Sequence, residues 1–426
     1  MSLNLQPYKG TRDLYPEDMC LRRYIFDTWR AVVESFGYEE YDAPLLEPLE
    51  IYAAKSGEEI VGGQTYAFTD RGDRQVAIRP EMTPSIARMV AARRQEMPLP
   101  ARLYSISNFM RYERPQNGRE REFWQLNVDL FGAAGVAADV EMIAIADAVL
   151  KKFGADESMF TIRVNDRRLT DYIMREYLGL NEEQAASMVK LLDKRAKIPE
   201  ETFDETAREI FADSAGENMR KLTELLQGRS LQDLPAEIKG SGMTDDLDEL
   251  LKQIESHGIS SVKYDPTLMR GLDYYTGIVF EVFDNSPENN RSMFGGGRYD
   301  GLVGLFGVED LPVVGMAPGE LTTLNFLKSW NLVPELRPAT DILLVPVGDV
   351  DTAAVANELR AGGINVAVDF TDRKVDKKIK AAVKSGVPYL LFVGETELAE
   401  GKFVLKNVVT QKEERLAAVQ VMQRLL

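Results

Sequence analysis

Apolar side chains recur at helical spacing through residues 20–36 (CLRRYIFDTWRAVVESF), and Gly37 closes the run, so the pattern predicts an amphipathic helix there. YEEYDAPLLEP, with Pro44 and Pro48, reads as extended chain. TYAFTDRGDRQVAIRPEMTPSIARMVAARR predicts a strand, a Gly-Asp turn, a second strand and a helix from about Thr83. RLYSISNFMRYE and REFWQLNVDLFG alternate strongly, as two strands of one hairpin with RPQNGR as its loop. A helix over 139–153, ending before Gly154, and a strand in MFTIRVN follow.

The pattern then changes. From about 169 to 255 helical periodicity dominates and acidic residues abound, which predicts a helical insertion. Strands resume in SVKYDPTLMRGLDYYTGIVFEVF, SMFGGGRYDGLVGLFG and DLPVVGMAPGELTTLNFLKSW. Many alternating strands with helices packed on them predict an α+β domain built on an antiparallel sheet, over 1–168 and 256–330. Residues 331–339 read as a linker. In 340–426 strands (ILLVPV, NVAVDF, YLLFVG, KFVLKNV) alternate with helices over 351–361, 373–385 and 412–425, the pattern of a small α/β domain.

Composition narrows the chemistry. The chain has 426 residues, room for two or three domains, with 44% hydrophobic and 28% charged residues. No apolar run is long enough to span a bilayer and the N-terminal stretch lacks the apolar core of a secretory signal, so neither is expected. One cysteine, Cys20, cannot form an internal disulfide, which fits a reducing cytoplasm. The single histidine, His257, sits beside a glycine in ESHGIS and reads as a surface or capping residue. A Cys/His metal centre and Cys–His nucleophilic chemistry are therefore not expected. With a formal charge of -17, nucleic acid could bind only through local basic patches.

One such patch is FMRYERPQNGREREFWQ, where Arg111, Arg114, Arg119 and Arg121 cross the hairpin loop. Arginine is suited to planar, bidentate contact with carboxylate or phosphate. The four could converge on a polyanion, or lace a solvated hairpin with Arg–Glu pairs. GGGRYDG puts three consecutive glycines on strand-like sequence, either as a bulge or because something approaches the backbone closely. MRGLDYYTG places Arg270, Tyr274 and Tyr275 beside a strand, and RPEMT offers Glu81 and Thr83 pointing the same way. There is no GxxxxGK[ST] loop.

Together these stretches resemble the class II aminoacyl-tRNA synthetases and, among them, the histidyl-tRNA synthetase family, over nearly the whole chain. YKGTRDLYPED is similar to the family's opening, YEEYDAPLLEP to motif 1, RYERPQNGREREFWQ to motif 2, and RGLDYYTG and GGRYDG to the segments particular to the histidine enzymes. The resemblance implies ATP-dependent activation of L-histidine to histidyl-adenylate and its transfer to the 3′ end of histidine tRNA, by a cytoplasmic homodimer with no membrane association. ATP is then a substrate, Mg2+ accompanies it, and no resident protein metal site is implied.

The resemblance also implies roles. Arg111 would contact the α-phosphate and Glu113 the adenine, while Arg119 and Arg121 reach along the phosphates. Arg270 would be the catalytic arginine beside Arg111. Glu81, Thr83 and Gln125 would hold the α-amino end of histidine, with Asp129, Tyr274 and Tyr275 around the imidazole. Glutamate is common where this chain has Asp129. Arg114 and Gln116 would read the extra 5′ guanosine of histidine tRNA. The C-terminal domain resembles an anticodon-binding domain, whose run TDRKVDKKIKAAVKSG offers Arg373, Lys374 and Lys377, with Lys378 and Lys380 beside them.

The chain departs from the pattern in motif 3. Where the family has an arginine clamping the γ-phosphate, VVGMAPGELTTLNFL has Thr322, which leaves Arg298 or Arg121 as candidate clamps. The alternative function is that of a catalytically silent relative, a histidine-binding regulatory subunit of ATP phosphoribosyltransferase. Such a chain would be expected to lack Arg270, the motif 2 arginines and the C-terminal domain, all present here.

Overall fold

The computed structural model describes residues 4–53, 63–116, 118–195, 198–228, 230–268, 275–289 and 292–425. The chain forms two compact units, Met1–Asp13 with Tyr24–Val333, and Leu14–Arg23 with Pro334–Leu426. The first helix, α1 (Pro16–Ser35), begins earlier than the apolar pattern suggests. Pro16 suits a first helical turn, and Glu17 and Asp18 complement the positive end of the helix dipole. Ile25, Trp29, Val32 and Val33 form its buried stripe.

The chain continues through β1 (Glu39–Glu40), β2 (Leu46–Pro48), α2 (Glu50–Ala53), β3 (Ala67–Thr69), β4 (Gln75–Ile78) and α3 (Thr83–Ala92). Strands β2, β4 and β3 make a small antiparallel sheet. The predicted hairpin is β5 (Ala101–Met110) and β6 (Glu122–Phe131), followed by α4 (Val136–Lys152) and β7 (Phe160–Asp166). The acidic stretch is helical: α5 (Arg167–Tyr172), a π-helical turn over Ile173–Tyr177, α6 (Glu182–Lys194), α7 (Glu200–Phe211), α8 (Ala215–Gln227), α9 (Ala236–Lys239) and α10 (Asp245–Ser256). His257 caps α10, its exposed ring 2.7 Å from the Gln253 carbonyl. Then come β8 (Val262–Tyr264), β9 (Ile278–Asp284), β10 (Ser292–Arg298), β11 (Val313–Met316) and α11 (Glu320–Ser329).

Eight of these strands form one sheet in the order β1-β5-β6-β11-β10-β9-β7-β8. It is antiparallel except at its two edges, β1 with β5 and β7 with β8. This is the α+β architecture expected from the alternating strands. The two faces differ in kind. Leu126 and Val128 of β6, Met316, Phe280 and Val164 line one face and pack with Met142, Ile143, Ala146 and Val149 of α4 into the main core. Strand alternation leaves Gln125, Asn127 and Asp129 on the other face. That polar face carries the site.

The second unit holds a five-stranded sheet, order β13-β12-β14-β15-β16. Its elements are β12 (Ile342–Pro346), α12 (Ala353–Ala361), β13 (Val366–Val368), α13 (Val375–Lys384), β14 (Tyr389–Val393), α14 (Glu395–Glu400), β15 (Phe403–Asn407), β16 (Glu413–Leu416) and α15 (Ala418–Leu425). Ile342 and Leu344 pack on α12 and α15, whereas Val345 and Leu390 pack with Ala382 and Ile379 of α13. The helix expected over 412–425 is corrected to a strand and a shorter helix. Asn407 Oδ1 accepts from the backbone amides of Val409 and Thr410 at 2.9 and 2.8 Å. The turn so formed lays Glu413–Leu416 antiparallel on β15, and Lys406 pairs across the strands with Glu413 at 3.0 Å.

Candidate active site

The polar face of the large sheet owes its depth to missing side chains. Asp129 on β6 stands beside Gly315 on β11, which stands beside Gly297 on β10. A Cβ on Gly315 would lie 2.6 Å from Asp129 Oδ1 and 3.0 Å from Tyr299 Oη, and one on Gly297 would lie 3.0 Å from the Tyr275 ring. On the opposite face a Cβ at Gly296 would strike the Phe280 ring at 2.5 Å. The glycine run thus lets the Phe280 and Tyr275 rings lie on the sheet from its two sides, and Gly315 on the next strand does the same for the Asp129 carboxylate. A register shift between Ser292 and Phe294 gives the strand a bulge as well.

Asp129 is buried, and both its oxygens are engaged. The Tyr299 hydroxyl donates to Oδ1, and the Tyr41 hydroxyl to Oδ2 at 3.4 Å. Burial pushes the carboxyl up to about 7, and the two tyrosine hydroxyls partly offset that. Tyr275 packs edge-on against Tyr299, ring centroids 6.4 Å apart. Its phenol is raised above the ordinary value, first by burial and then by the negative charges of Glu81, Asp129 and Glu281. Glu81 is itself buried just ahead of α3, and Thr83 is the first residue of that helix. Three carboxylates therefore lie near one half-buried tyrosine. Such a pocket favours a small molecule carrying a cation and ring N–H donors.

The arginine hairpin lies at the open end of the same strands. Its tip is tight: Gln116 and Arg119 exchange backbone hydrogen bonds at 3.0 and 2.9 Å, and Gly118 takes a positive φ of 76°. Arg111 Nε donates to the Pro80 carbonyl at 2.8 Å, which ties this arginine to the segment carrying Glu81. Its guanidinium carbon is 5.3 Å from the centre of the Phe123 ring. Arg121 is sandwiched: Nη1 donates to Tyr8 Oη at 2.8 Å, Nε to the Glu113 carbonyl at 3.2 Å, and the guanidinium sits 4.0 Å from the Tyr112 ring centre. A Cβ on Gly10 would meet Arg121 Cγ at 2.7 Å, so the opening segment is pressed against it. Arg119 is exposed and reaches Glu113 at 3.3 Å, and Arg114 and Gln116 face solvent at the tip.

The rim beyond the hairpin is shared with α11. Gln125 forms an isolated bridge with Gly319, just ahead of that helix. Thr322 Oγ1 donates back to the Gly319 carbonyl at 3.0 Å. Arg12 bridges two carboxylates there, Glu120 at 2.5 Å and the buried Glu320 at 3.0 Å.

Arg298 stands elsewhere than the phosphate expectation puts it. Its guanidinium donates to Asp139 of α4 at 2.5 and 3.2 Å, and to the carbonyls of Ala133 and Gly135 at 3.3 and 2.9 Å. Alternation explains this, since Arg298 follows Gly297 and projects to the other face, towards the start of α4. Burial raises the Asp139 carboxyl to about 6 against the pull of Arg298. Arg298 thus anchors α4. Arg270 and Tyr274 lie outside the described residues.

Glu281, Tyr41 and Tyr299 were not among the residues picked out from sequence. A signal existed for Glu281, the one acidic residue inside IVFEVF, which alternation sends to the face away from Phe280 and Val282. Tyr299 lies in the singled-out GGGRYDG stretch, but its partnership with Asp129 spans 170 positions. Tyr41 reaches Asp129 across 88 positions, and no local pattern announces either contact.

The family model described as histidyl-tRNA synthetase matches residues 10–318, and that of an anticodon binding domain matches residues 341–426. The chain is 40% identical over 435 residues to a histidine–tRNA ligase of Leptospira biflexa serovar Patoc, covering 99% of this chain and 98% of that protein. It is 38% identical to the histidine–tRNA ligase of Opitutus terrae, covering 98% and 97% of the two chains. The fold superposes on the crystal structure of histidyl-tRNA synthetase from Nostoc sp. PCC 7120 with a TM-score of 0.83, at 24% identity and full coverage of both chains. A structure from Bacillus halodurans C titled as an ATP phosphoribosyltransferase regulatory subunit/histidyl-tRNA synthetase gives a TM-score of 0.76 at 24% identity, covering 92% of this chain and 100% of that one. On the family model and the near-full-length relatives, this chain belongs to the histidyl-tRNA synthetase family.

Proposed function

We propose that this chain activates L-histidine with ATP, forming histidyl-adenylate and pyrophosphate, and then transfers histidine to the 3′ end of histidine tRNA with release of AMP. The observation that carries this reading is the pocket of Glu81, Asp129, Glu281 and Tyr275 at the foot of a hairpin rich in arginines. One end suits a cationic, N–H-bearing amino acid and the other a polyphosphate. The two meet at Arg111, whose guanidinium is fixed to the backbone just ahead of Glu81.

The nucleophile is the substrate's own carboxylate, so no side chain must move a proton in the first step. Catalysis then consists of positioning and of stabilising charge on the α-phosphate. Arg111 supplies that charge from the hairpin, and family resemblance assigns Arg270 the partner role. Family resemblance assigns Glu113 to the adenine and Arg119 to the outer phosphates, and Arg121 holds the hairpin base through Tyr8 and Tyr112. Glu81, Thr83 and Gln125 take the α-amino end. Asp129, oriented by Tyr41 and Tyr299, takes a ring N–H with Tyr275 near it, and family resemblance assigns Tyr274 to the imidazole as well. An analogue lacking that N–H would leave a buried acceptor unpaired.

Among the described residues, no group of three or more His, Cys, Asp or Glu side chains could hold a metal ion. A Mg2+ ion that enters with the phosphates needs only one or two protein carboxylates, which Glu120 and Glu320 could supply. When bound, it would neutralise phosphate charge. Among the described residues no helix is long and apolar enough to cross a membrane. A cytoplasmic homodimer is the setting this reading assigns, with Arg114 and Gln116 meeting the 5′ end of the tRNA and the C-terminal unit its anticodon arm. Charging of a histidine tRNA transcript with labelled histidine tests the proposal. Stable histidyl-tRNA is expected, and its absence with ATP and Mg2+ present would refute the transfer step.

A further inference from the structure

The base of the arginine hairpin sets two like charges side by side. Arg111 and Arg121 stand opposite each other across the strands, the Arg111 amide donating to the Arg121 carbonyl at 2.8 Å. Opposite residues of an antiparallel pair project to the same face, where like charges repel. Among the described residues neither arginine is paired with a carboxylate. Every group that holds them is neutral: the Pro80 carbonyl and the Phe123 ring for Arg111, the Glu113 carbonyl, the Tyr8 hydroxyl and the Tyr112 ring for Arg121. The neighbouring arginines are held differently. Arg12 is paired with Glu120 and Glu320, Arg119 with Glu113, and Arg79 with Asp42.

The opening segment builds most of the hold on Arg121. The Gly10 carbonyl accepts from the amides of Arg121 and Glu122 at 2.8 and 3.3 Å. The Tyr8 carbonyl accepts from the Thr11 amide at 2.9 Å and the Thr11 hydroxyl at 2.8 Å, which closes a turn that begins at Tyr8. The Tyr8 hydroxyl then meets Arg121 Nη1 at 2.8 Å and accepts from the Tyr66 hydroxyl at 3.4 Å. Tyr66 packs edge-on against Tyr112, ring centroids 5.6 Å apart, and the Tyr112 amide donates to the Gln64 carbonyl at 2.6 Å. Three tyrosines from three separate stretches of chain are thus linked around one buried guanidinium.

A phenol or a carbonyl fixes a guanidinium without cancelling its charge, whereas a carboxylate does both. Aromatic faces suit arginine in particular, because its planar cation is weakly hydrated and stacks. Two fixed cations whose charge is uncancelled favour a polyanion, and the cost of holding them together is recovered when it binds. We propose that Tyr8 is a positioning residue for the activation step: with Tyr66 and Tyr112 it holds Arg121 in place by neutral contacts, and so leaves that charge to the phosphates of ATP. This rests on the activation reading given above and deepens it, since it gives the opening segment a part in recognising ATP.

The test is calorimetric titration of the full chain with ATP and Mg2+ and, separately, with histidine. Tyr8 is 53% exposed, so substitutions there leave the core closed. Tyr8→Phe keeps the ring and removes the oxygen that meets Arg121. It is expected to weaken ATP binding about threefold to tenfold, the range of one net hydrogen bond. Tyr8→Glu offers a carboxylate instead, which holds Arg121 but cancels its charge, and should weaken ATP binding further, by about tenfold or more. Histidine affinity should be unchanged in both. If Tyr8 served only to pack the hairpin, Tyr8→Glu would bind ATP as the unaltered protein does, and that result would overturn the proposal. Unchanged ATP affinity in Tyr8→Phe would overturn it as well, as would an equal loss of ATP and histidine binding. Pyrophosphate exchange by the unaltered protein reads the activation step separately, and its absence would refute that step while the ATP affinities still decide the role of Tyr8.

Discussion

The cations of the large sheet and those of α13 are held in opposite ways. Arg79 is buried and bonded to Asp42, the Ala43 carbonyl and the Asn108 carbonyl, at 3.0, 2.7 and 2.8 Å. Arg121 is wedged between Tyr8 and Tyr112, and Arg298 is locked onto Asp139. Arg373, Lys374 and Lys377 stand in solvent. A site for a small substrate gains from donors whose positions are fixed beforehand, because reorganisation then costs little during reaction. A surface for a long polyanion gains mainly from release of counterions, which flexible exposed cations provide. On the function proposed above, the same residue types would serve precision in one unit and reach in the other.

The comparison breaks first at Asp139. Asp139→Ala leaves the largely buried guanidinium of Arg298 without its nearest carboxylate and should lower stability by about 3–5 kcal/mol. Urea denaturation followed by fluorescence measures this, and a change within 1 kcal/mol of zero would show that Arg298 is not an anchor. Arg111→Ala comes next. It should lower the rate of histidine-dependent exchange about 10²–10³-fold with the fold intact.

Asp129 sharpens the contrast from the carboxylate side. Asp129→Asn should weaken histidine binding by about 1.5–3 kcal/mol, the range for a hydrogen bond to a charged group. It also carries a pH signature. The folded-state value of about 7 lies above the ordinary carboxylate value of 3.8. Its contribution to stability is therefore complete below the unfolded value and is lost as pH rises through about 7. Asp129→Asn should flatten the fall in stability between these limits. Tyr299→Phe, by removing a hydroxyl that holds the carboxyl down, should move the midpoint upward. Thermal melts across this pH range show both effects.

The smallest effect belongs to the exposed cations. Replacing Arg373, Lys374 and Lys377 with alanine should reduce the slope of log affinity for tRNA against log salt by about 2, at roughly 0.7 per single-stranded phosphate contact. Exchange should be unaltered. An unaltered slope would return these residues to an ordinary solvated helix face.

What the sequence made legible follows from how local each cause is. The β5–β6 hairpin was legible because strong alternation on both sides of RPQNGR lies within one short stretch. The α+β character and the two-part organisation were legible for the same reason. The glycine run signalled a close approach to the backbone, but only the packed structure shows that Phe280 and Tyr275 make it, and that the Asp129–Tyr299 pair does so at Gly315. Strand β16 was hidden because four residues with two adjacent glutamates carry little strand pattern of their own, and β15 supplies the pairing. Tyr41 and Glu281 reach the pocket from distant elements. The pairing of Arg298 with Asp139 was hidden because the one-residue parity between it and Gly297 decides its face, and the motif alone does not fix that parity.

On the function proposed above, the acidic pocket and the arginine hairpin form one activating site. Histidine-dependent exchange of labelled pyrophosphate into ATP, with Mg2+ and without tRNA, tests it most directly. Exchange is expected with histidine and with no other amino acid, despite Thr322. Absence of exchange by protein that still binds histidine would contradict it, and would leave a family member that holds the amino acid without activating it.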